Sequence, residues 1–273
     1  MKKVRLDTLL VEQGHFDTRE KAKRSIMAGL IYHKHERLDK PGLKIDPTVE
    51  LHVKGKAIPY VGRGGLKLEK ALNTFEVNIS GKTVIDIGSS TGGFTDCALQ
   101  NGAKAVYAID VGYNQLDWSL RNDSRVHVME RTNFRYVTPD DLKHGAPNFA
   151  MTDVSFISLK LIFPVLKQLL MPGSDAIALI KPQFEAGREQ VGKKGIVRDP
   201  KVHMQVINDI VQMLHEEGYS VINLDHSPIT GGDGNIEFLV HVKWTDDAPE
   251  YHLTESLVHH IVETAHQRFH ENK

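Results

Sequence analysis

The chain has 273 residues with 40% hydrophobic and 25% charged content, enough for one large soluble domain or for a small domain plus a medium one. No apolar run approaches the ~20 residues of a membrane span, and the start, MKKVRLDTLLVEQG, has neither a long apolar core nor a small-residue cleavage site, so neither membrane insertion nor secretion is expected. The net charge of −1 conceals an asymmetry, with 13 Lys and Arg against 8 Asp and Glu in residues 1–60 and 21 against 27 in the remainder, which fits a basic head that meets a polyanion.

Two short helical patterns open the chain. In VRLDTLLVEQG, Leu6, Leu9, Leu10 and Gln13 recur at helical spacing and Gly14 is placed to end the helix. In DTREKAKRSIMAGLI, Asp17 and Thr18 are candidate N-caps, Glu20 lies in the first turn and Gly29 marks the end. Arg19, Lys21, Lys23 and Arg24 are expected on its solvent side, with Ala22, Ile26 and Met27 facing inward. LIYHK, a DKPG turn and TVELHVKG follow as short strands around a turn. IPYVGRGG, with Pro59 and three glycines, reads as a hinge over 59–65, and a helix is expected from Leu66 to about Phe75.

From Lys82 strand and helix patterns alternate. The strands are TVIDIG, AVYAID, VHVMER, NFAMTDVS and DAIALIK. The helices are TGGFTDCALQNG, ISLKLIFPVLKQLL, which Pro164 is expected to kink, and PKVHMQVINDIVQMLHEEG. YSVINLDHSPI and IEFLVHVKW have no helix between them and are expected to pair as a hairpin, with one strand antiparallel to the rest. LTESLVHHIVETAHQRFHENK reads as an amphipathic helix that frays at its end. Near-continuous apolar strands alternating with helices predict a doubly wound, mostly parallel α/β sheet of seven strands, covered on both faces.

VIDIGSSTGGFTD is the strongest local signal: a strand, a glycine loop, and the start of a helix, where backbone can approach a ligand closely. Gly88, Gly92 and Gly93 are spaced G-x-x-x-G-G, which is neither the G-x-G-x-x-G of a dinucleotide site nor a G-x-x-x-x-G-K-[ST] phosphate loop. The pattern resembles motif I of S-adenosylmethionine methyltransferases. That resemblance implies that Asp86 and the loop Gly88, Ser89, Ser90, Thr91, Gly92, Gly93 hold the amino-acid part of the cofactor. Asp110, ending AVYAID, is placed to accept from both ribose hydroxyls, and Asn133 is in range of the adenine. A doubly wound fold binding another nucleotide is the competing reading.

The target atom is narrowed by what is missing. The strand ending in Asp153 continues as DVSF rather than the Asn/Asp-Pro-Pro-aromatic motif of exocyclic amine methylation. Cys97, the only cysteine, lies on the helix after the glycine loop, away from the position of a cytosine C5 nucleophile, and reads as a small core residue. It also excludes an intramolecular disulfide and points to a reducing cytoplasm. In DAIALIKPQFEAG a buried strand ends in Lys181 and is stopped by Pro182. Lys181 and Asp153 both stand at the C-terminal ends of strands, which converge on the ligand crevice of a doubly wound sheet. With Lys67 on the helix entering the domain and Glu237 in the last strand, they form a lysine–carboxylate set. A ribose 2′-hydroxyl is a poor nucleophile, and a desolvated lysine oriented by carboxylates suits it as a base. Each residue has a plain alternative: a surface lysine, a helix cap, an ordinary ion pair.

Taken together, RLDTLL, TREKAKRSIMAGLI, KPGLKI, GRGGLKLEKAL, DIGSSTGGFTD, TDVSFISL, LIKPQFE and GNIEFL resemble the TlyA (haemolysin A) family over nearly the whole chain. The resemblance implies an S4-like RNA-binding domain at 1–58, with Arg5, Arg19, Lys21, Lys23, Arg24 and Lys40 meeting RNA phosphates, and an FtsJ-like methyltransferase domain at 66–273 with Lys67, Asp153, Lys181 and Glu237 as its catalytic tetrad. It further implies S-adenosyl-L-methionine as cofactor and, as partner, ribosomal RNA within a ribosomal subunit. The target implied is a cytidine ribose of large-subunit RNA and, in some members, of small-subunit RNA too. Members acting on both subunits commonly carry tryptophan where Tyr60 stands. Arg63 in the hinge, and Arg188, Lys193, Lys194 and Arg198 in the polar loop 185–200, are further candidates for RNA contact, against a plain solvated loop. His33/His35 and His259/His260 lack companions at ligand spacing, so no metal is expected. A non-catalytic ribosome-assembly factor and a membrane-active haemolysin are the alternatives, and the oligomeric state is left open.

Overall fold

The protein is described by a computed structural model covering residues 3–27, 29–34, 36–54, 58–245 and 253–270. It divides into two units, residues 1–63 and 64–273. The first contains β1 (Val4–Arg5), α1 (Leu6–Glu12), α2 (Arg19–Met27), β2 (Ile31–His33), β3 (Glu36–Arg37), β4 (Lys44–Ile45) and β5 (His52–Val53). Leu6, Leu9 and Leu10 share one face of α1 and pack with Ala22 and Ile26 of α2 and with Ile31 and Leu51. Gly14 ends α1 at φ +77°, and the Thr18 hydroxyl accepts from Lys21 N, capping α2. β1 pairs antiparallel with β4, and β2 pairs antiparallel with both β3 and β5.

Met27, expected to face inward, is exposed. The buried neighbours of Ala22 one turn on are Ser25 and Ile26, the i+3 and i+4 positions, and Met27 falls ~100° further round the helix. Lys23 and Arg24, expected on the open side, are half-buried.

The second unit contains α3 (Gly64–Thr74), β6 (Thr83–Ile87), α4 (Gly93–Gln100), β7 (Ala105–Ile109), α5 (Trp118–Arg121), β8 (Val126–Met129), β9 (Phe149–Thr152), α6 (Phe163–Leu169), β10 (Ser174–Ile180), α7 (Pro182–Glu185), α8 (Pro200–Glu216), β11 (Tyr219–His226), β12 (Phe238–Trp244) and α9 (Glu255–His270). The frayed end expected after α9 lies outside the described residues. The sheet order is β11-β12-β10-β9-β6-β7-β8. β8, β7, β6, β9 and β10 run parallel, and β12 is antiparallel to both β10 and β11, as the missing crossover helix required. Ile85, Ile87, Ala150, Ala178 and Ile180 of the central strands are buried, with Phe163 and Leu166 of α6 and Ile207 and Ile210 of α8 in the same core. Burial on both faces is why these strands are apolar throughout rather than alternating.

Three local expectations change. α3 starts at Gly64, so Gly64 and Gly65 form its first turn instead of the end of a hinge. Pro164 lies in the first turn of α6, after a separate 3-10 turn at Leu159–Leu161, and does not kink a long helix. Its missing N–H has no helical partner there, so the ring is tolerated. The polar loop after β10 is more ordered than its composition suggests. It holds α7, a 3-10 turn at Arg188–Gln190 and a bridge between Gly192 and Ile196. Asn235 fastens it, accepting from Val197 N at 3.0 Å and donating to Gly195 O at 2.9 Å. Among the described residues no helix is long and apolar enough to cross a membrane.

Candidate active site

The C-terminal ends of β6, β7 and β9 open into a cleft of about 530 Å³. Its lining includes Gly88 and Ser90 after β6, Asp110 after β7, Asn133 after β8, and Asp153, Ser155 and Phe156 after β9. Gly88 has φ +83°, and a Cβ there would stand 3.0 Å from the Asp153 carbonyl oxygen. Only glycine lets the loop turn and pass this close to β9. Ser90 N and Gly112 N donate to the two oxygens of Asp110 at 2.8 and 2.7 Å, fixing its carboxylate at the cleft. The Asn133 side chain accepts from Arg135 N at 3.1 Å and so holds its own turn.

Asp86 is buried in β6, with one oxygen accepting from the Thr95 hydroxyl at 2.6 Å and Oδ1 without a partner among the described residues. Burial pushes its carboxyl up to about 7, the Thr95 hydrogen bond opposing. The hydroxyls of Ser89 and Thr152 are likewise buried without partners among the described residues. Such groups are costly unless a ligand completes them. A zwitterionic amino-acid end fits these unfilled polar atoms, and a nucleoside end fits the Asp110–Asn133 side, so the residues present suit S-adenosylmethionine. Ser90 is exposed, Thr91 is half-buried, and Gly92 and Gly93 open α4.

Beside the cleft four ionisable side chains form one chain of contacts. Lys181 Nζ lies 2.5 Å from Asp153 Oδ1, Lys67 Nζ lies 3.2 Å from Asp153 Oδ2, and Lys67 Nζ lies 2.7 Å from Glu237 Oε2. The topology brings them together: Asp153 and Lys181 follow parallel neighbours β9 and β10, Glu237 immediately precedes β12, and Lys67 projects from α3. The Lys67 and Lys181 side chains are only 7% and 9% exposed. Burial drives the Lys67 ammonium down, but Asp153 and Glu237 more than reverse it and leave it above its ordinary value. Burial likewise raises Asp153, and Lys67 and Lys181 overcome that and leave it below the usual carboxylate range.

Sequence reading overlooked several groups here. Lys181 Nζ also donates to Ser155 Oγ at 3.1 Å, and Gln183 Nε2 reaches Glu237 Oε1 at 3.5 Å. Glu185 accepts from the Ser158 hydroxyl at 2.6 Å and from Leu159 N at 2.8 Å, tying the segment after β9 to α7. Phe156 is 91% exposed at φ +63° and tilts against Phe184 at 4.9 Å. Phe156 thus stands exposed, in a backbone conformation that L residues rarely adopt, in the lining of the cleft. Ser155 and Phe156 lie in DVSF, and Gln183, Phe184 and Glu185 in KPQFE, but only Asp153 and Lys181 of these stretches carried a signal.

In the first unit Arg5 and Arg19 both pair with buried Asp7, at 2.9 and 3.0 Å. Lys21 pairs with Asp17 at 2.8 Å and Lys23 with Glu20 at 2.7 Å, while Lys40 is exposed and Arg63 half-buried. In the second unit Arg188, Lys193, Lys194 and Arg198 are all exposed. His35 lies outside the described residues, and among those described no three His, Cys, Asp or Glu side chains gather as metal ligands.

Residues 60–244 match the model of the FtsJ-like methyltransferase family, and residues 4–51 match the S4 domain. The Bacillus subtilis protein YqxC, an rRNA methyltransferase by designation, is 63% identical over 273 residues, covering 100% of this chain and 97% of that protein. The 16S/23S rRNA (cytidine-2′-O)-methyltransferase TlyA of Mycobacterium tuberculosis is 37% identical over 263 residues, covering 96% and 98%. A solved Streptococcus thermophilus structure bearing a hemolysin designation superposes with a TM-score of 0.80 at 52% identity, covering 100% and 98%. From the glycine loop over its cleft to the buried lysine–carboxylate chain beside it, this protein therefore belongs to the TlyA/hemolysin A family, an S4 domain followed by an FtsJ-like methyltransferase domain.

Proposed function

We propose that the protein methylates the 2′-oxygen of a cytidine ribose in large-subunit ribosomal RNA, with the S4 domain docking on structured RNA and residues 66–273 carrying the reaction. The observation that carries this reading is the buried Lys181–Asp153–Lys67–Glu237 chain, whose Asp153 shares the cleft with Asp110 and Asn133. S-adenosylmethionine supplies the electrophilic methyl group. Asp86, Ser89 and the Gly88–Gly93 loop hold its amino-acid end, Asp110 its ribose and Asn133 its adenine. Lys181 Nζ, once it has given up its own proton to solvent, takes the proton from the ribose 2′-hydroxyl, and Asp153 and Ser155 hold that nitrogen in place. Lys67, kept charged by Asp153 and Glu237, fixes the Asp153 carboxylate and compensates charge as the oxygen becomes nucleophilic. Alignment of donor and acceptor supplies the rest of the rate.

Arg5, Arg19, Lys21, Lys23, Arg24, Lys40 and Arg63 contact RNA phosphates from the first unit, and Arg188, Lys193, Lys194 and Arg198 from the second. Asp17 and Glu20, the partners of Lys21 and Lys23, are open to solvent, so a phosphate displaces those carboxylates at little cost. A ribosomal substrate places the protein in the cytoplasm, in keeping with the single cysteine.

The test is mass-spectrometric mapping of ribose methylation in both ribosomal RNAs from cells lacking the protein, complemented with wild type or Lys181→Ala. One cytidine 2′-O-methyl group in large-subunit RNA should depend on the wild-type protein and be absent with the variant. Unchanged methylation in the deletion, or restoration by Lys181→Ala, refutes the assignment. A small-subunit site dependent on the protein would widen the substrate despite Tyr60. Red-cell lysis equal for both proteins would instead favour a direct membrane activity.

A further inference from the structure

Asp7 is fully buried, yet both cations that hold it reach the surface: the Arg5 and Arg19 side chains are 47% and 52% exposed. Arg5 grips Asp7 with two nitrogens, Nε to Oδ1 at 3.0 Å and Nη2 to Oδ2 at 2.9 Å. Arg19 Nη2 donates to the same Oδ2 at 3.0 Å. One carboxylate thus orients two guanidinium groups, Arg5 at the end of β1 and Arg19 at the start of α2. A third segment closes the arrangement: Leu6 N bonds to Leu43 O and Asp7 N to Pro41 O, and Gly42 lies against the Arg5 guanidinium. The turn that begins at Lys40 is therefore fastened at the same place. Two arginines and one carboxylate leave a net positive charge, with Arg5 Nη1 and the Nε and Nη1 groups of Arg19 uncommitted among the described residues.

We propose that Asp7 is the positioning residue of a phosphate-binding site in the first unit, presenting Arg5 and Arg19 as a preset pair of donors to one stretch of RNA backbone. The inference rests on the RNA reading above. Planar guanidinium forks recognise phosphate best when their orientation is fixed beforehand, because less side-chain freedom is lost on binding. The arginines' own hydrogen bonds hold Asp7 ionised, far below the usual carboxylate range, so the arrangement persists throughout the neutral range.

Charge and position make opposite predictions for Asp7→Asn, which removes a negative charge from the site. The probe is the intact large ribosomal subunit from cells lacking the protein, titrated with full-length wild type or variant at fixed salt. A positioning role predicts that the variant binds about tenfold more weakly despite its added positive charge, with the loss appearing in KM for the subunit rather than in kcat. Unchanged or tighter binding overturns the inference. If thermal melting shows the variant to be unfolded, Arg5→Lys and Arg19→Lys replace it, since each keeps its charge and loses the fork. Each should then weaken binding several-fold, and wild-type affinity in both overturns the inference. Wild-type protein that fails to bind the subunit at all refutes the RNA reading itself, which distinguishes the two failures.

Discussion

Each unit of the protein contains a largely enclosed carboxylate bridging two cations, and the two arrangements differ in the kind of cation and in its exposure. Around Asp7 the cations are arginines whose heads reach solvent; around Asp153 they are lysines almost wholly enclosed. Arginine keeps its proton at any physiological pH and offers a rigid fork, which suits binding. Lysine is a compact charge that can exchange its proton, which suits catalysis. In both places the cations hold the carboxylate below its ordinary range. Asp86 is the contrasting third case, a buried carboxylate with no cation beside it, and its proton affinity moves the other way. The sign of each shift follows from what was placed next to the carboxylate, not from burial alone.

Exchanging the cation types tests this most sharply. Lys181→Arg keeps the charge beside Asp153 but removes the group able to give up a proton. Methyl transfer should fall about 10³-fold in single-turnover assays, while cofactor binding by calorimetry is retained. Activity near wild type would mean that Lys181 acts by charge alone and would remove the distinction between the two sites. Next in size is Gly88→Ala, where φ +83° and the 3.0 Å approach to the Asp153 carbonyl leave no room for a Cβ. Urea denaturation should show a loss of about 1–3 kcal/mol, together with weakened cofactor binding.

The smallest effect concerns Asp86. Its carboxyl is raised in the folded protein from 3.8 to about 7, so the folded chain retains a proton there that the unfolded chain releases. Its contribution to stability is full below the unfolded value and is lost as pH rises through the folded one. A cationic α-amino group needs the ionised form. Cofactor affinity should therefore rise about tenfold between pH 6 and pH 8, with proton release visible as a buffer-dependent binding enthalpy. Asp86→Asn should flatten the profile; a flat profile in wild type would show that burial is not what governs this carboxylate.

Much of the architecture was readable because periodicity and punctuation agree with it. The parallel strands announce themselves as apolar runs, and Asp153 and Lys181 stand out as charges at their ends, where the ligand crevice of such a sheet must lie. Lys67 and Glu237 are different. They can be grouped with that pair as a lysine–carboxylate set, but no local pattern brings them together, since their contact joins residues 170 positions apart. Ser155, Gln183 and Asp7 went unread because a neutral or buried polar group gains its meaning from a partner brought by tertiary structure. Pro164 and Met27 were misread in opposite ways. A proline has two legitimate places near a helix, and a hydrophobic residue at a helix end need not follow the stripe that precedes it.

The position of β12 has a consequence for the life of the chain. It is the last strand to be synthesised, yet it lies inside the sheet, with β10 on one side and β11 on the other, and Glu237 arrives with it. The glycine loop and the Asp153–Lys181 pair both precede that strand in the chain. Lys67 has both of its carboxylates only with β12 in its place between β10 and β11. The four-residue contact is therefore complete only when the sheet closes around its final strand.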